Sequence, residues 1–581
     1  MGRQYLAVLV LILTILAGWA GGTALAEKGG KAGRTWEHFQ EEVRARQDRG
    51  YDVARAITLA GEARAAHARG EARAAQELME RAFAELEAAP RVAGGSAQPV
   101  KAAAPAAGGE APGPILTESP FGVHVSNFRV QEPNELGADN RLIIRASGLG
   151  DKLRFQDLDG IVAASQTRLV VTLVADGQRS EESHSYCLLA GDELARWQAM
   201  VGRLVERYDG DADWGCTVAG GRDCYEPGDG LAPDSALAAA IRQRPIRSWQ
   251  IENEWPHQLK DCSGGKEEHI TARRYVEHLA AMGSLIRGRD SSARIILGAL
   301  TGVRYVAALA GFAPRPYVET GYTDCQYQRV PIEELRKPGR ELERIRQLGA
   351  TIEEVLVQGA AHYDIIDIHF YENDPQSLVG QVQWLTDLLR RRGVGPKAVW
   401  SLENAGPYYF FVETGDRQPA DCKKAGRDDL PYSDEILAGQ IIKHYVVGIS
   451  AGVEKIFWSS IFPTLSWSDN FIRTALVDVG KAKKPAYATY RLMTEKLAGV
   501  RQITRKAPGI FQVVFRDRPA LLVAWAEDEG GSRDLGAYLD AGKVRITWPV
   551  TRRGQEKAES EVRPVTAVPL GRLPVFVEAA P

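Results

Sequence analysis

The sequence predicts an α/β chain built on a closed (β/α)8 TIM barrel, and three observations predict it. Eight short runs rich in β-branched and aromatic residues lie between Phe121 and Ser460. Amphipathic segments such as "DELARWQAMVGRLVERY" and "RRYVEHLAAMGSLIRG" separate most of them, the alternation of a parallel sheet with its crossover helices. The first run, "FGVHVSNF", carries no glycine-rich turn, so the usual nucleotide signature of an open doubly wound sheet is missing. A C-terminal β-sandwich and a short N-terminal helical hairpin complete the expected architecture.

At 581 residues the chain is long enough for two to four domains. It is 44% hydrophobic and 25% charged, a globular balance. A net charge of −3 gives no electrostatic reason to expect nucleic acid or an acidic membrane as a partner. Arg3 leads the apolar run "YLAVLVLILTILAGWA", and Ala24 and Ala26 bracket Leu25. Residues 1–26 therefore read as a secretory signal cleaved before Glu27; an uncleaved N-terminal anchor is the competing reading. Either predicts an exported protein, periplasmic or extracellular. No cysteine lies near the cleavage point, which disfavours a lipoprotein.

Residues 27–92 are expected to form the helical hairpin, with Leu78, Phe83 and Leu86 at helical spacing. It reads as a spacer or packing element, with recruitment of a partner as the alternative. Residues 93–115 are an Ala/Pro/Gly linker. The barrel is assigned to 116–498, with strands at 121–126, 142–147, 168–175, 246–253, 293–300, 363–371, 397–403 and 454–460. That stretch exceeds the roughly 250 residues typical of the fold. The excess falls mainly in 176–240 and 301–360, so long loops are expected to wall the site. Residues 499–581 turn to strand-and-turn patterns and read as the β-sandwich.

Two strands end on glutamates. "SWQIENEWPH" (248–257) runs from buried strand into Glu252, Asn253 and Glu254, and "KAVWSLENAGPYYF" (397–410) runs into Glu403. Carboxylates at the end of an apolar strand are costly to desolvate unless paired or used. In a barrel the fourth and seventh strands face each other across the mouth, where active sites lie. Glu254 and Glu403 can thus converge on one pocket despite their distance in sequence. A close carboxyl pair suits double-displacement glycoside hydrolysis.

On these residues the chain resembles glycoside hydrolase clan A, the retaining (β/α)8 glycosidases, and looks closest to family 39-like members, over roughly 116–581. The resemblance implies that Glu254 is the general acid/base, Glu403 the nucleophile, and Asn253 a ligand of the sugar 2-hydroxyl. It further implies that Arg145 hydrogen-bonds the nucleophile from strand two and that Tyr371 lies against it at the end of strand six, where His369, a substrate-binding candidate or a hydrogen-bonded barrel histidine, also sits. Trp458 would floor the sugar site from strand eight. Many relatives read Asn-Glu-Pro, whereas Trp255 follows Glu254 here; Trp255 and His124 are also taken as substrate-binding candidates. No cofactor or metal is expected, and a carbohydrate is the expected partner. The alternative function is a non-catalytic carbohydrate-binding or envelope scaffold protein.

Other residues have plainer readings. Glu252 points away from its neighbours in a regular strand and is expected to make a salt bridge. Tyr408, Tyr409, Phe410 and Phe411 read equally as loop core or as a surface for sugar faces. Asp209, Asp211 and Asp213 have alternating spacing but not the remainder of a calcium loop, and read as a solvated acidic turn. Six cysteines in an exported chain predict disulfides, with 15 connectivities open. Cys216–Cys224 is the favoured pair because both share one short loop. No C-x-x-C spacing for zinc is present.

Overall fold

The computed structural model describes residues 113–125, 129–149, 155–179, 185–210, 236–262, 267–323, 326–406, 433–463, 474–478, 480–527, 530–555 and 557–580. Before these it describes the helix Ala72–Ala88 and the single positions Arg46, Ala56, Leu59 and Ala63. The signal segment, the linker to residue 112, Cys216, Cys224, Cys325, Cys422, Asp211, Asp213 and Tyr408 to Phe411 lie outside the described residues. The chain divides into two units, Met1–Ala106 and Ala107–Pro581. In the first, Ala72–Ala88 buries Phe83 and Leu86 against Ala56 and Leu59. That is the helical packing expected of the apolar spacing.

The second unit contains the barrel. Its strands are β1 (Phe121–His124), β2 (Asp139–Arg145), β3 (Leu169–Val174), β4 (Ser248–Ile251), β5 (Arg294–Leu300), β6 (Ile365–Ile368), β7 (Ala398–Asn404) and β8 (Val453–Trp458). Each pairs in parallel with its sequence neighbour, and β8 closes on β1. All eight expected strands are present. Strand residues alternate: Val171, Ile295, Leu297 and Ile366 pack in the large core. Val170, Ile296, Ile365, Leu402 and Phe457 form a separate cluster. This period of two fills the barrel interior as well as its jacket. Gly122 in β1 allows the approach of Phe457, because a Cβ there would lie 2.5 Å from its ring.

Helix ends follow local chemistry. Thr271 and Ser433 cap the helices Ala272–Arg289 and Asp434–Ala451 by accepting from the amides of Arg274 and Ile436. Gly452, at φ 117°, ends the second helix and turns the chain into β8.

One strand is shifted. The sequence places β2 at 142–147, from the first apolar residue, whereas it begins at Asp139. Its first polar residues are buried because the barrel interior supplies their partners. Asp139 pairs with Lys455, and the guanidinium of Arg141 reaches four side chains.

The long loops carry structure of their own. Asp176–Arg179, Tyr186–Leu188, Leu259–Asp261 and Glu268–His269 form a four-stranded sheet from the segments after β3 and β4. A disulfide, Cys187–Cys262, ties these two segments together. After β5, Tyr317–Thr323 and Gln326–Pro331 form a hairpin.

The C-terminal region continues the second unit. Strands β9 (Val500–Ala507), β10 (Ile510–Phe515), β11 (Leu521–Ala524), β12 (Lys543–Thr547), β13 (Ser560–Pro564) and β14 (Val575–Ala579) form a sheet ordered β9-β10-β11-β14-β12-β13. A ribbon of Gly531–Arg533 and Val568–Leu570 packs on it, with Val568 and Leu570 joining Leu522, Ile546 and Val577 in one cluster. Thr489 donates to the Val550 carbonyl and Leu116 N–H to that of Arg501, so the barrel and this region are joined along a seam.

Candidate active site

The two strand-end glutamates meet. Among the described residues, Glu254, His369 and Glu403 form a cluster in which one ligand-type atom from each lies within 4.8 Å of the others. An oxygen of each carboxylate is therefore within that distance of the other. Glu254 follows β4, Glu403 lies in β7, and His369 and Tyr371 follow β6, all at the C-terminal mouth.

Glu403 is held from three sides. Arg141 Nη1 donates to its Oε1 at 2.6 Å, the Tyr371 hydroxyl donates to Oε2, and His369 Nδ1 lies 3.4 Å from Oε2. Burial alone would raise its proton affinity. His369, Arg141, His124 and the Tyr371 hydrogen bond together outweigh burial and hold the carboxyl well below its usual range. It is ionised at neutral pH, the state a nucleophile requires.

Glu254 accepts from His369 Nδ1 at 2.8 Å and from the amide of Gln258. Its backbone φ of 23° and that of Glu252, 65°, bend the chain sharply off β4. Such positive values at non-glycine residues cost energy and occur where the surroundings enforce them. Here Glu252 is fully buried and accepts from the Ala175 amide, Tyr186 hydroxyl and His278 Nε2 at 3.1, 3.1 and 2.9 Å. Glu252 is held by hydrogen bonds and anchors the turn that presents Glu254.

His369 lies between the carboxylates. Burial lowers its pKa, but Glu403, Asp367 and Glu254 reverse this and raise it to about 10. His124, half-buried at the end of β1, is pushed down to about 4 by burial and by Arg141. Two histidines at one mouth thus carry different charge at neutral pH.

Beneath the carboxylates runs a polar layer. Gln250 Oε1 accepts from Arg141 Nη2 and Thr172 Oγ1, and its Nε2 donates to Asp367 Oδ2 at 2.6 Å. Asp367 Oδ1 accepts the Leu402 amide beside Glu403. Asn253 Oδ1 accepts from Arg141 Nη2 at 2.8 Å.

Three expected roles are corrected. Arg145 does not reach Glu403; it pairs with Asp176 at 3.3 Å and lies over the Tyr186 ring. In a regular strand it shares a face with Arg141 but sits about 13 Å further along, beyond the carboxylate. Trp255 is fully buried and stacked on Tyr275 at 4.4 Å, so it presents no face to a ligand. Trp458 is also fully buried, its indole N–H donating to the Thr474 carbonyl; it is core beside His444 rather than a floor. Around the glutamates lie Asn253, bonded to Arg141, His124, whose charge acts on Glu403, and His369 and Tyr371, which bond the carboxylates. Arg141, Gln258, Gln250 and Asp367 were missed, although an arginine immediately before an apolar run is a signal for an interior strand position.

The cluster of Glu254, His369 and Glu403 is also where a metal ion would find ligand atoms. The proton on His369 that its neighbours favour competes with that use.

A scan against protein-family models and a search of curated proteins each find no match. Among solved structures the chain is similar to a GH39 β-xylosidase from Caulobacter crescentus, at 14% identity over 81% of this chain and 98% of that one, TM-score 0.45. It is also similar to a glucosidase from Croceicoccus marinus, at 11% over 81% and 98%, TM-score 0.43. A GH51 α-L-arabinofuranosidase from Thermotoga petrophila RKU-1 is similar at 11% over 80% and 97%, TM-score 0.44. The strand pairing described above defines the fold independently of them.

Proposed function

We propose that the protein is an exported retaining glycoside hydrolase that cleaves β-glycosidic bonds of a polysaccharide or glycoconjugate by double displacement. The observation that carries this reading is the approach of two carboxylates to within 4.8 Å across the barrel mouth, one of them clamped in its ionised form. Retaining glycosidases use carboxyls about 5–5.5 Å apart, whereas inverting ones leave room for a water at about 6.5–9.5 Å.

In the first step a Glu403 oxygen attacks the anomeric carbon as the glycosidic C–O bond breaks. Glu254 delivers its proton to the departing oxygen. In the second step Glu254 takes a proton from water, whose oxygen attacks the same carbon and displaces Glu403. Arg141, Tyr371 and His369 receive the carboxylate charge back as that ester breaks. Asn253 is the proposed ligand of the sugar, a reading supported by Arg141 donating to its carbonyl oxygen, which leaves its amide N–H groups as donors.

Export is supported by the signal-like segment 1–26 and the Cys187–Cys262 disulfide. The test is proton NMR of early turnover on aryl glycosides and polysaccharides. The first-formed sugar should keep the anomeric configuration of the substrate; an inverted first product defeats the mechanism.

A further inference from the structure

A second concavity, about 510 Å³ in volume, opens at the seam between the barrel and the C-terminal sheet. Neither Glu254 nor Glu403 lines it. Its walls come from the hairpin after β5, the segment Asn373 to Gln376 after β6, the helix Asp434–Ala451 and the segment after β11.

Most charges in these walls are matched. Arg315 pairs with Asp374 at 3.0 Å, Arg329 with Glu319 at 3.9 Å, and Glu527 lies 4.0 Å from Arg505. Two cations are left over. Among the described residues Lys443 and Arg572 have neither hydrogen bond nor ion pair, and both line the cleft. The Lys443 ammonium lies 5.4 Å from the centre of the Trp525 ring. Burial lowers its pKa to about 8 against the longer-range attraction of Glu527 and Asp374. Gln440, one turn earlier on the same helix, donates its amide to the Asn373 carbonyl and leaves its Oε1 buried without a partner. That bond fixes which way the amide points. A half-buried ammonium with no counter-ion is costly, and an anionic group entering the cleft would match it.

We propose that this cleft binds an acidic saccharide unit, a sugar carrying a carboxylate, with Lys443 and Arg572 receiving the acid group. The saccharide part of this inference rests on the glycosidase reading, and it adds an acidic glycan as the substrate class. The cleft and the carboxylate pair are built on shared elements. The segment bearing His369 and Tyr371 runs on to Asn373 and Asp374. The helix bearing Gln440 and Lys443 also carries His444, which bonds Asn404 beside Glu403 at 2.6 Å.

The test is titration calorimetry at fixed ionic strength on the full chain carrying Glu403→Gln, which prevents turnover. The probes are uronate trisaccharides of galacturonate, mannuronate and glucuronate, their carboxyl-reduced neutral counterparts, and inorganic phosphate. At least one acidic trisaccharide should bind at least tenfold more tightly than its neutral counterpart. Lys443→Met and Arg572→Ala should each erase most of that preference without lowering the melting temperature. Equal binding of acidic and neutral probes, a preference unchanged in both variants, or phosphate binding as tightly as any saccharide would each overturn the proposal. The assay needs no catalysis, so its outcome is separate from the anomeric NMR test. Retention without acidic preference removes this inference alone. Acidic binding without hydrolysis removes the enzyme and leaves the site.

Discussion

Arg141 and Glu403, 262 positions apart in sequence, meet at 2.6 Å inside the barrel, and the guanidinium side chain is wholly buried. A buried cation at this distance keeps the carboxylate ionised, typically by about one to three pH units. Arg141→Met should therefore move the acid limb of the pH–rate profile upward by about that much and lower kcat, with Arg141→Lys intermediate. Arg145→Met should leave the limb in place, since its partner is Asp176. An acid limb that moves only in the Arg145 variant would reverse the correction.

The two glutamates should separate by leaving group. Glu254→Ala should cost roughly 10²–10⁴ in rate where the leaving oxygen needs a proton, and far less in the first step for activated aryl glycosides. Azide should capture its intermediate as a glycosyl azide of retained configuration. Glu403→Ala should abolish turnover of both substrates. Near-wild-type hydrolysis by Glu403→Ala, or an equal loss by Glu254→Ala on both substrates with no azide response, would reject these roles.

His369 gives a signed pH dependence of stability. Its pKa rises from an ordinary value near 6.5 to about 10 on folding. The stabilisation is full below about pH 6.5, declines as pH rises toward 10, and is gone above it. Urea unfolding of the wild type and His369→Gln should converge over that interval as pH rises. His124, held near 4, is uncharged throughout it and does not blur the comparison. Parallel curves across the window would show that the imidazolium charge contributes nothing to folding.

The disulfide spans 75 positions, and in the chain-entropy view closing such a loop stabilises by about 4 kcal/mol. Reduction should lower the unfolding free energy by an amount of that order. It should also lower activity, because Tyr186, beside Cys187, hydrogen-bonds the Glu252 carboxyl that anchors the Glu254 turn. Thiol counting before and after reduction, with denaturant melts, checks both. A reduced protein with unchanged stability and rate would leave the bridge without either role.

What could be read from the chain followed from how strongly each element is marked. The eight strands were legible because most are apolar runs bounded by amphipathic helix. Glu254 and Glu403 stood out because a carboxylate at such a boundary must be paired or put to use. β2 was misplaced by three residues because it opens with Asp139, Asn140 and Arg141, whose burial depends on partners from distant strands. Trp255 and Trp458 were misassigned because an aromatic at a strand end looks the same whether it faces a ligand or a helix; only packing on Tyr275 and His444 distinguishes them. The four-stranded sheet over the mouth was invisible because its strands are two to four residues long, too short for periodicity to register.

The polar layer under the mouth has a consequence for anyone who would transplant this chemistry. Glu403 takes its position from Arg141 on β2, and that guanidinium is oriented by Thr172 on β3 and Gln250 on β4. Gln250 is fixed in turn by Asp367 on β6, which also grips the Leu402 amide on β7. Five of the eight staves thus share one hydrogen-bonded ring, and the carboxylate pair lies at its edge. Moving two glutamates into a foreign barrel would carry the reagents without their mounting. A graft that works would have to bring Arg141, Thr172, Gln250 and Asp367 along with them.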